Sequence, residues 1–211
     1  MLTRKELVWL TCPDKSCCHN SVVVPTGRDV WRIARTLGAP ARSFLMYFPT
    51  ANPRRDAFVL DGSGASFRLA LGKGARRHRR TPPPCIFLLR TRSGQHRCGL
   101  GELRPRACRA LPGDLEDGVL TLSNDGRCTC RTWILADVDI AEETALVEAR
   151  QRDAEEYCSL VDRWNARVAR APAGTNFEFE DYCAYLLESY DAIEDGDGEH
   201  ALRPAEGAVA R

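Results

Sequence analysis

The sequence predicts an α+β fold: a small cysteine-rich domain with short antiparallel strands, followed by a C-terminal helical extension. Three observations predict it. Eight of the ten cysteines fall in three stretches, residues 12–18, 85–108 and 128–130. The apolar segments between those stretches are short and bounded by glycine-containing turns, as the strands of a small sheet are. From Asp139 onward apolar residues recur instead at helical spacing. With 211 residues and 44% hydrophobic content, the chain is long enough for a domain with a real core.

The elements follow in order. Ser21-Val-Val-Val24 predicts a short strand, and Thr26-Gly-Arg-Asp29 reads as a capping box that opens a helix. Val30, Ile33, Ala34 and Leu37 share one face of that helix, Gly38 stops it, and it is expected to pack beside the first cysteines. Phe58-Val-Leu60, the alternating Phe67, Leu69 and Leu71, and Ile86-Phe-Leu-Leu89 predict strands of a small antiparallel sheet, joined by turns such as Asp61-Gly-Ser-Gly64. Leu103-Arg-Pro105 begins a short helix that carries Cys108 toward a stop at Pro112-Gly113.

Asp139-Ile-Ala-Glu142 opens a long amphipathic helix with Leu146, Tyr157, Leu160, Val161, Trp164 and Val168 on its apolar face, ending before Pro172. Thr175-Asn-Phe-Glu178 opens a last helix, striped by Phe179, Tyr182, Cys183, Leu186 and Tyr190. The predicted organisation is a cysteine-cluster domain over 1–135, a helical extension over 136–190, and an acidic tail over 191–211 whose composition is that of a disordered segment.

A net charge of +1 gives no global pull toward nucleic acid or an acidic membrane. Lys73, Arg76, Arg77, His78, Arg79 and Arg80 form a basic run, but it lacks interleaved aromatics and reads as a solvated loop rather than a nucleic-acid platform. No apolar stretch approaches the roughly 20 residues of a membrane-spanning helix. The short apolar run before Cys12 has no small-residue cleavage site, so a cytoplasmic protein with no membrane segment is expected. In that compartment thiols stay reduced, and a cysteine cluster is metal-binding or catalytic rather than disulfide-bonded.

Thiolates are soft ligands that suit zinc, copper(I) and iron–sulfur clusters. The candidate metal ligands are Cys12, Cys17, Cys18, Cys85, Cys98, Cys108, Cys128 and Cys130. Cys98 lies in a glycine-rich turn, Gly94-Gln-His-Arg-Cys-Gly-Leu-Gly101, and Cys108 sits between Arg106 and Arg109, whose charge favours a thiolate. Vicinal Cys17 and Cys18 diverge along a regular backbone, so both ligate only where the turn is sharp or the centre polynuclear. Cys128 and Cys130 either ligate or form a second, redox-sensitive pair. Cys158 and Cys183 sit among aromatic and aliphatic residues and read as structural. His19 could add a nitrogen ligand, though a lone neighbouring His is more often polar packing, and His78 and His96 lie in basic or loop contexts.

The chain has no C-x-x-C pair, so it fits neither a zinc ribbon nor a ferredoxin run. No G-x-G-x-x-G follows a strand, and Gly62-Ser-Gly64 and Gly72-Lys-Gly74 read as turns. No phosphate loop or Ser–His–Asp arrangement supports a nucleotide enzyme or a hydrolase.

Cys12 with Cys17-Cys18, Thr26-Gly-Arg-Asp-Val-Trp-Arg-Ile33, Pro84-Cys85-Ile-Phe-Leu88, Cys98-Gly-Leu and Arg104-Pro-Arg-Ala-Cys108-Arg-Ala-Leu-Pro112 occur together, in that order. Over residues 8–135 this combination resembles the YkgJ-like family of bacterial cysteine-cluster proteins, described as zinc- or iron-chelating domains. The family commonly opens with C-x-x-C-x-x-C-C, whereas here four residues separate Cys12 from Cys17 and one cysteine fewer is present. The resemblance implies a thiolate centre of zinc or iron, or an iron–sulfur cluster, on the N-terminal cysteines and Cys85, Cys98 and Cys108. The family includes a flagellin lysine methylase branch, which makes an iron–sulfur-dependent enzyme the alternative to a structural or redox-active metal protein. A third expectation is a redox- or metal-responsive module whose basic run engages a protein partner.

Overall fold

The computed structural model describes residues 3–13, 15–51, 54–75 and 82–196. The basic residues Arg76, Arg77, His78, Arg79 and Arg80, and the tail from Asp197, lie outside the described residues. The fold is α+β. In chain order it comprises α1 (Arg4–Thr11), α2 (Ser16–Asn20), α3 (Gly27–Leu37), β1 (Leu45–Pro49), β2 (Phe58–Val59) and β3 (Ser66–Leu71). There follow β4 (Leu88–Arg90), β5 (His96–Cys98), α4 (Arg106–Arg109), β6 (Gly113–Glu116), β7 (Val119–Leu122), α5 (Ile140–Arg170) and α6 (Phe179–Glu194).

The helix ends follow the capping chemistry of their sequences. The Thr3 hydroxyl accepts from Glu6 N at 3.1 Å while Thr3 N donates to Glu6 Oε2 at 3.0 Å, which closes a capping box on α1. Thr26 and Asp29 repeat that box on α3, and Gly38, at φ 60°, stops the helix in the left-handed conformation. Asp139 Oδ1 accepts from Glu142 N at the start of α5. α6 is capped at Glu178, whose amide donates to Asp181 Oδ2, and not at Thr175.

The strands form three small sheets rather than one: β1–β3–β2, β4–β5 and β6–β7. Residues 21–24 make no strand, although Val23 O accepts from Leu71 N at 2.8 Å. The β6–β7 hairpin turns on Asp117 and Gly118, both at positive φ, the two-residue geometry that Asp-Gly favours.

Two compact units share the chain: Met1–Pro25 with Leu71–Arg152, and Thr26–Ala70 with Asp153–Arg211. The first unit carries all eight clustered cysteines. α3, expected beside them, belongs to the second. In that second unit Phe58 stacks on Tyr182 with ring centroids 4.0 Å apart, and Ile33, Leu160, Trp164 and Leu186 are fully buried around the pair. Trp164 Nε1 donates to Val59 O and Asn165 Oδ1 accepts from Val59 N, which fixes α5 to strand β2. Cys158 and Cys183 are buried in this core. Among the described residues no helix is long and apolar enough to cross a membrane.

Candidate metal centre

The first unit encloses a cavity of about 340 Å³, and Cys12, Cys17, Cys18, Cys85, Cys98, Cys108, Cys128 and Cys130 all lie on its walls. Local structure delivers each thiol. Cys12 follows α1, its amide donating to Val8 O; Cys17 and Cys18 lie on α2. Cys85 joins that helix through a 2.7 Å bond from its amide to Cys18 O. Cys98 ends β5 opposite Leu88, and Cys108 rides on α4.

The loop bearing Cys128 and Cys130 is clasped at both ends. Ser16 Oγ donates to Arg127 O at 3.1 Å and accepts from Thr129 N at 3.0 Å, so one buried hydroxyl ties this loop to the start of α2. Asn124 exchanges two hydrogen bonds with the backbone of Trp133 on the far side. Short-range chemistry thus brings together sulfurs more than 100 residues apart in the chain.

The thiols fall into two groups. Cys17 and Cys18 Sγ are 4.0 Å apart, and charge interactions link this pair to Cys85, Cys98 and Cys108. Cys128 and Cys130 Sγ are 3.3 Å apart, and Cys12 is near enough to act on Cys130 electrostatically. Two thiolates on one tetrahedral zinc, each at ~2.3 Å, stand roughly 3.8 Å apart, close to the Cys17–Cys18 spacing. Among the described residues, however, no three His, Cys, Asp or Glu side chains are already converged as ligands of one ion. The donor set suits a soft metal in its chemistry, and a centre held by three or more of these thiols would require side-chain movement.

Hydrogen bonding splits the vicinal pair. Either thiol can donate in this contact; once Cys17 ionises, the Cys18 thiol is its donor, which lowers Cys17 to about 7 and raises Cys18. Burial raises Cys85 and Cys98, and burial with the neighbouring thiols of Cys12 and Cys128 raises Cys130. Three cations act in the opposite sense: Lys15 on Cys17, Lys73 on Cys85 and Arg104 on Cys98. Lys73 Nζ donates to Ser21 O at 2.8 Å, and the Arg104 guanidinium lies 3.6 Å from the centre of the Trp9 ring.

Lys15, Ser16, Arg104 and the buried Lys5–Glu143 pair line or brace the cavity without having been legible as site residues. A charged residue inside Cys12-Pro-Asp-Lys-Ser-Cys17 was one available signal. Glu143 one turn before the fully buried Val147 was another, since it puts a carboxylate on an apolar face. His19 faces His96 edge-on at 6.0 Å, and no histidine is among the described residues that line the cavity. Compared with protein-family models, with curated proteins and with solved structures, the chain matches none, so the cavity itself carries the functional reading.

Proposed function

We propose that this is a cytoplasmic metal-binding protein with a thiolate-ligated zinc or iron centre, of the kind its YkgJ-like cysteine order suggests. The observation that carries the reading is the arrival of all eight clustered cysteines on the walls of one cavity. Cys17, Cys18, Cys85, Cys98 and Cys108 are the first candidates to hold the metal. The all-sulfur donor set suits zinc, iron or an iron–sulfur cluster alike. Such a centre would supply structural cross-linking or electron transfer.

The test is metal and acid-labile sulfide analysis of protein purified without oxygen, with its visible absorption spectrum. Iron and sulfide with a broad visible band would assign an iron–sulfur centre, and stoichiometric colourless zinc a structural site. Neither metal in the protein as isolated or after reconstitution would sink the proposal. Cys98→Ser and Cys108→Ser are each expected to lose metal and stability together, because binding and folding are linked at such sites.

A second reading is a redox-responsive pair, favoured by the 3.3 Å between Cys128 and Cys130 Sγ. Oxidation by a small disulfide would join the two sulfurs, release their two protons and reduce the oxidant to two thiols. Peptide mass mapping after exposure to oxidised glutathione decides it: a Cys128–Cys130 bond supports the reading, and uniform alkylation of both thiols opposes it.

A further inference from the structure

Lys15 is 2% exposed, and no carboxylate of the described residues forms an ion pair with it. Its ammonium donates to the carbonyl oxygens of Trp9 and Leu10 at the end of α1, and lies 5.2 Å from the centre of the Trp9 ring. Carbonyl dipoles and a ring face offset only part of a full charge, and a charge taken out of water is costly unless an opposite charge meets it. The backbone adds to that cost. Lys15 sits at φ 44°, ψ 41°, a left-handed conformation that glycine adopts freely and a residue with a Cβ does not. The helix-end carbonyls and the Trp9 ring meet part of the cost of the charge, but nothing offsets the left-handed backbone, and strain of this kind points to a role beyond local structure.

The cavity that Lys15 lines is rich in sulfur. Lys15 lines the same cavity as the eight thiols, and its charge acts on Cys17. Thiolates outnumber the positive charge of the divalent or polynuclear centres they bind, so a centre of this kind is anionic overall. Lys73 at Cys85 and Arg104 at Cys98 repeat the arrangement at two further thiols, but both are less buried.

We infer that Lys15 is the buried counter-cation of the thiolate centre, a positioning residue that holds the anionic metal–sulfur group in the cavity; this rests on the metal-binding reading above. Lys15→Met keeps the aliphatic bulk and removes the charge, whereas Lys15→Arg keeps the charge. Zinc(II) is the probe. Its affinity for the full chain is measured by competition with a chromophoric chelator, alongside thermal unfolding of each metal-free protein.

Lys15→Met is expected to weaken zinc binding by about tenfold or more, the effect of removing one charge near a partly desolvated anion. Lys15→Arg should stay within about threefold of wild type. Equal zinc affinity in Lys15→Met and wild type overturns the inference and leaves the metal reading standing. Equal losses in both variants also overturn it, since charge is then not what matters. A Lys15→Met chain that is unfolded without metal while wild type is folded assigns the residue to the fold and overturns it as well. Wild-type protein that takes up no zinc overturns the inference, while the metal-binding reading stands or falls separately on the metal and sulfide analysis above.

Discussion

Lys5 Nζ lies 2.5 Å from Glu143 Oε2, and the carboxylate is almost completely buried. The same ammonium donates to Arg109 O, one residue beyond Cys108, and Glu143 Oε1 accepts from Gly113 N at 3.0 Å. One ion pair therefore fastens α1, the end of α4 and the start of β6 around the cavity. Glu143→Ala leaves the Gly113 amide unpaired and the half-buried Lys5 ammonium with only Arg109 O, and should destabilise the protein by about 1–3 kcal/mol. The double change Lys5→Met with Glu143→Leu should cost less than Glu143→Ala alone, because it removes both charges. Urea unfolding measures all three proteins; a Glu143→Ala midpoint equal to that of wild type would show that the pair fastens nothing.

The Cys18-to-Cys17 hydrogen bond makes one thiol reactive at neutral pH. A thiol whose pKa is lowered is ionised above the lowered value, so in protein stripped of metal Cys17 should alkylate with a half-maximal rate near pH 7. Cys85 and Cys98, raised by burial, should lag behind it at every pH. Cys18→Ala removes the donor and should move the Cys17 profile to higher pH. Peptide mapping of iodoacetamide-treated protein across pH 6–10 reads this out, and the same profile for all three thiols would contradict it.

Much of this architecture was legible in local chemistry. Thr26 and Asp29 announce α3, Gly38 announces its end, and the stripe Tyr182, Cys183, Leu186 and Tyr190 is buried as its spacing requires. Asp117-Gly118 between Leu115 and Leu120 carried a hairpin signal that went unread, because the apolar residues around it are few. The cysteines were legible as a set, and Cys128 with Cys130 as a candidate second pair, but the association of Cys12 with that pair was not. The arrangement depends on Ser16 reaching Arg127 and Thr129 and on Cys85 reaching Cys18, contacts that no spacing encodes. Lys15 was hidden for the same reason: a lysine in a cysteine loop reads as solvated until its burial is known.

Gly27 opens α3 where no side chain fits. A Cβ there would stand 2.5 Å from Tyr190 Cε2 and 2.9 Å from Tyr157 Cδ2. The rings are buried in the core of the second unit, so they cannot swing into solvent to make room. Gly27→Ala should lose about 1–3 kcal/mol to overpacking despite the better helix propensity of alanine. Thermal unfolding tests it, and an unchanged midpoint would mean that the tyrosine rings yield freely.

Ser16 links the two thiol groups. Its hydroxyl both donates to Arg127 O and accepts from Thr129 N, so Ser16→Ala removes two hydrogen bonds while leaving every cysteine in place. At about 0.5–1.5 kcal/mol for each bond, the global cost should be roughly 1–3 kcal/mol. The local effect should be larger than the global one, because the loop of Cys128 and Cys130 loses its tie to α2 and keeps its Asn124–Trp133 clasp and the Arg131–Asp137 pair. Hydrogen exchange of the Thr129 amide is the direct measure: it should accelerate by at least about tenfold while the amides of α6 keep their protection. If Thr129 exchanges no faster in Ser16→Ala, the loop is held from elsewhere, and metal retention by Cys128 and Cys130 should then be indifferent to the substitution.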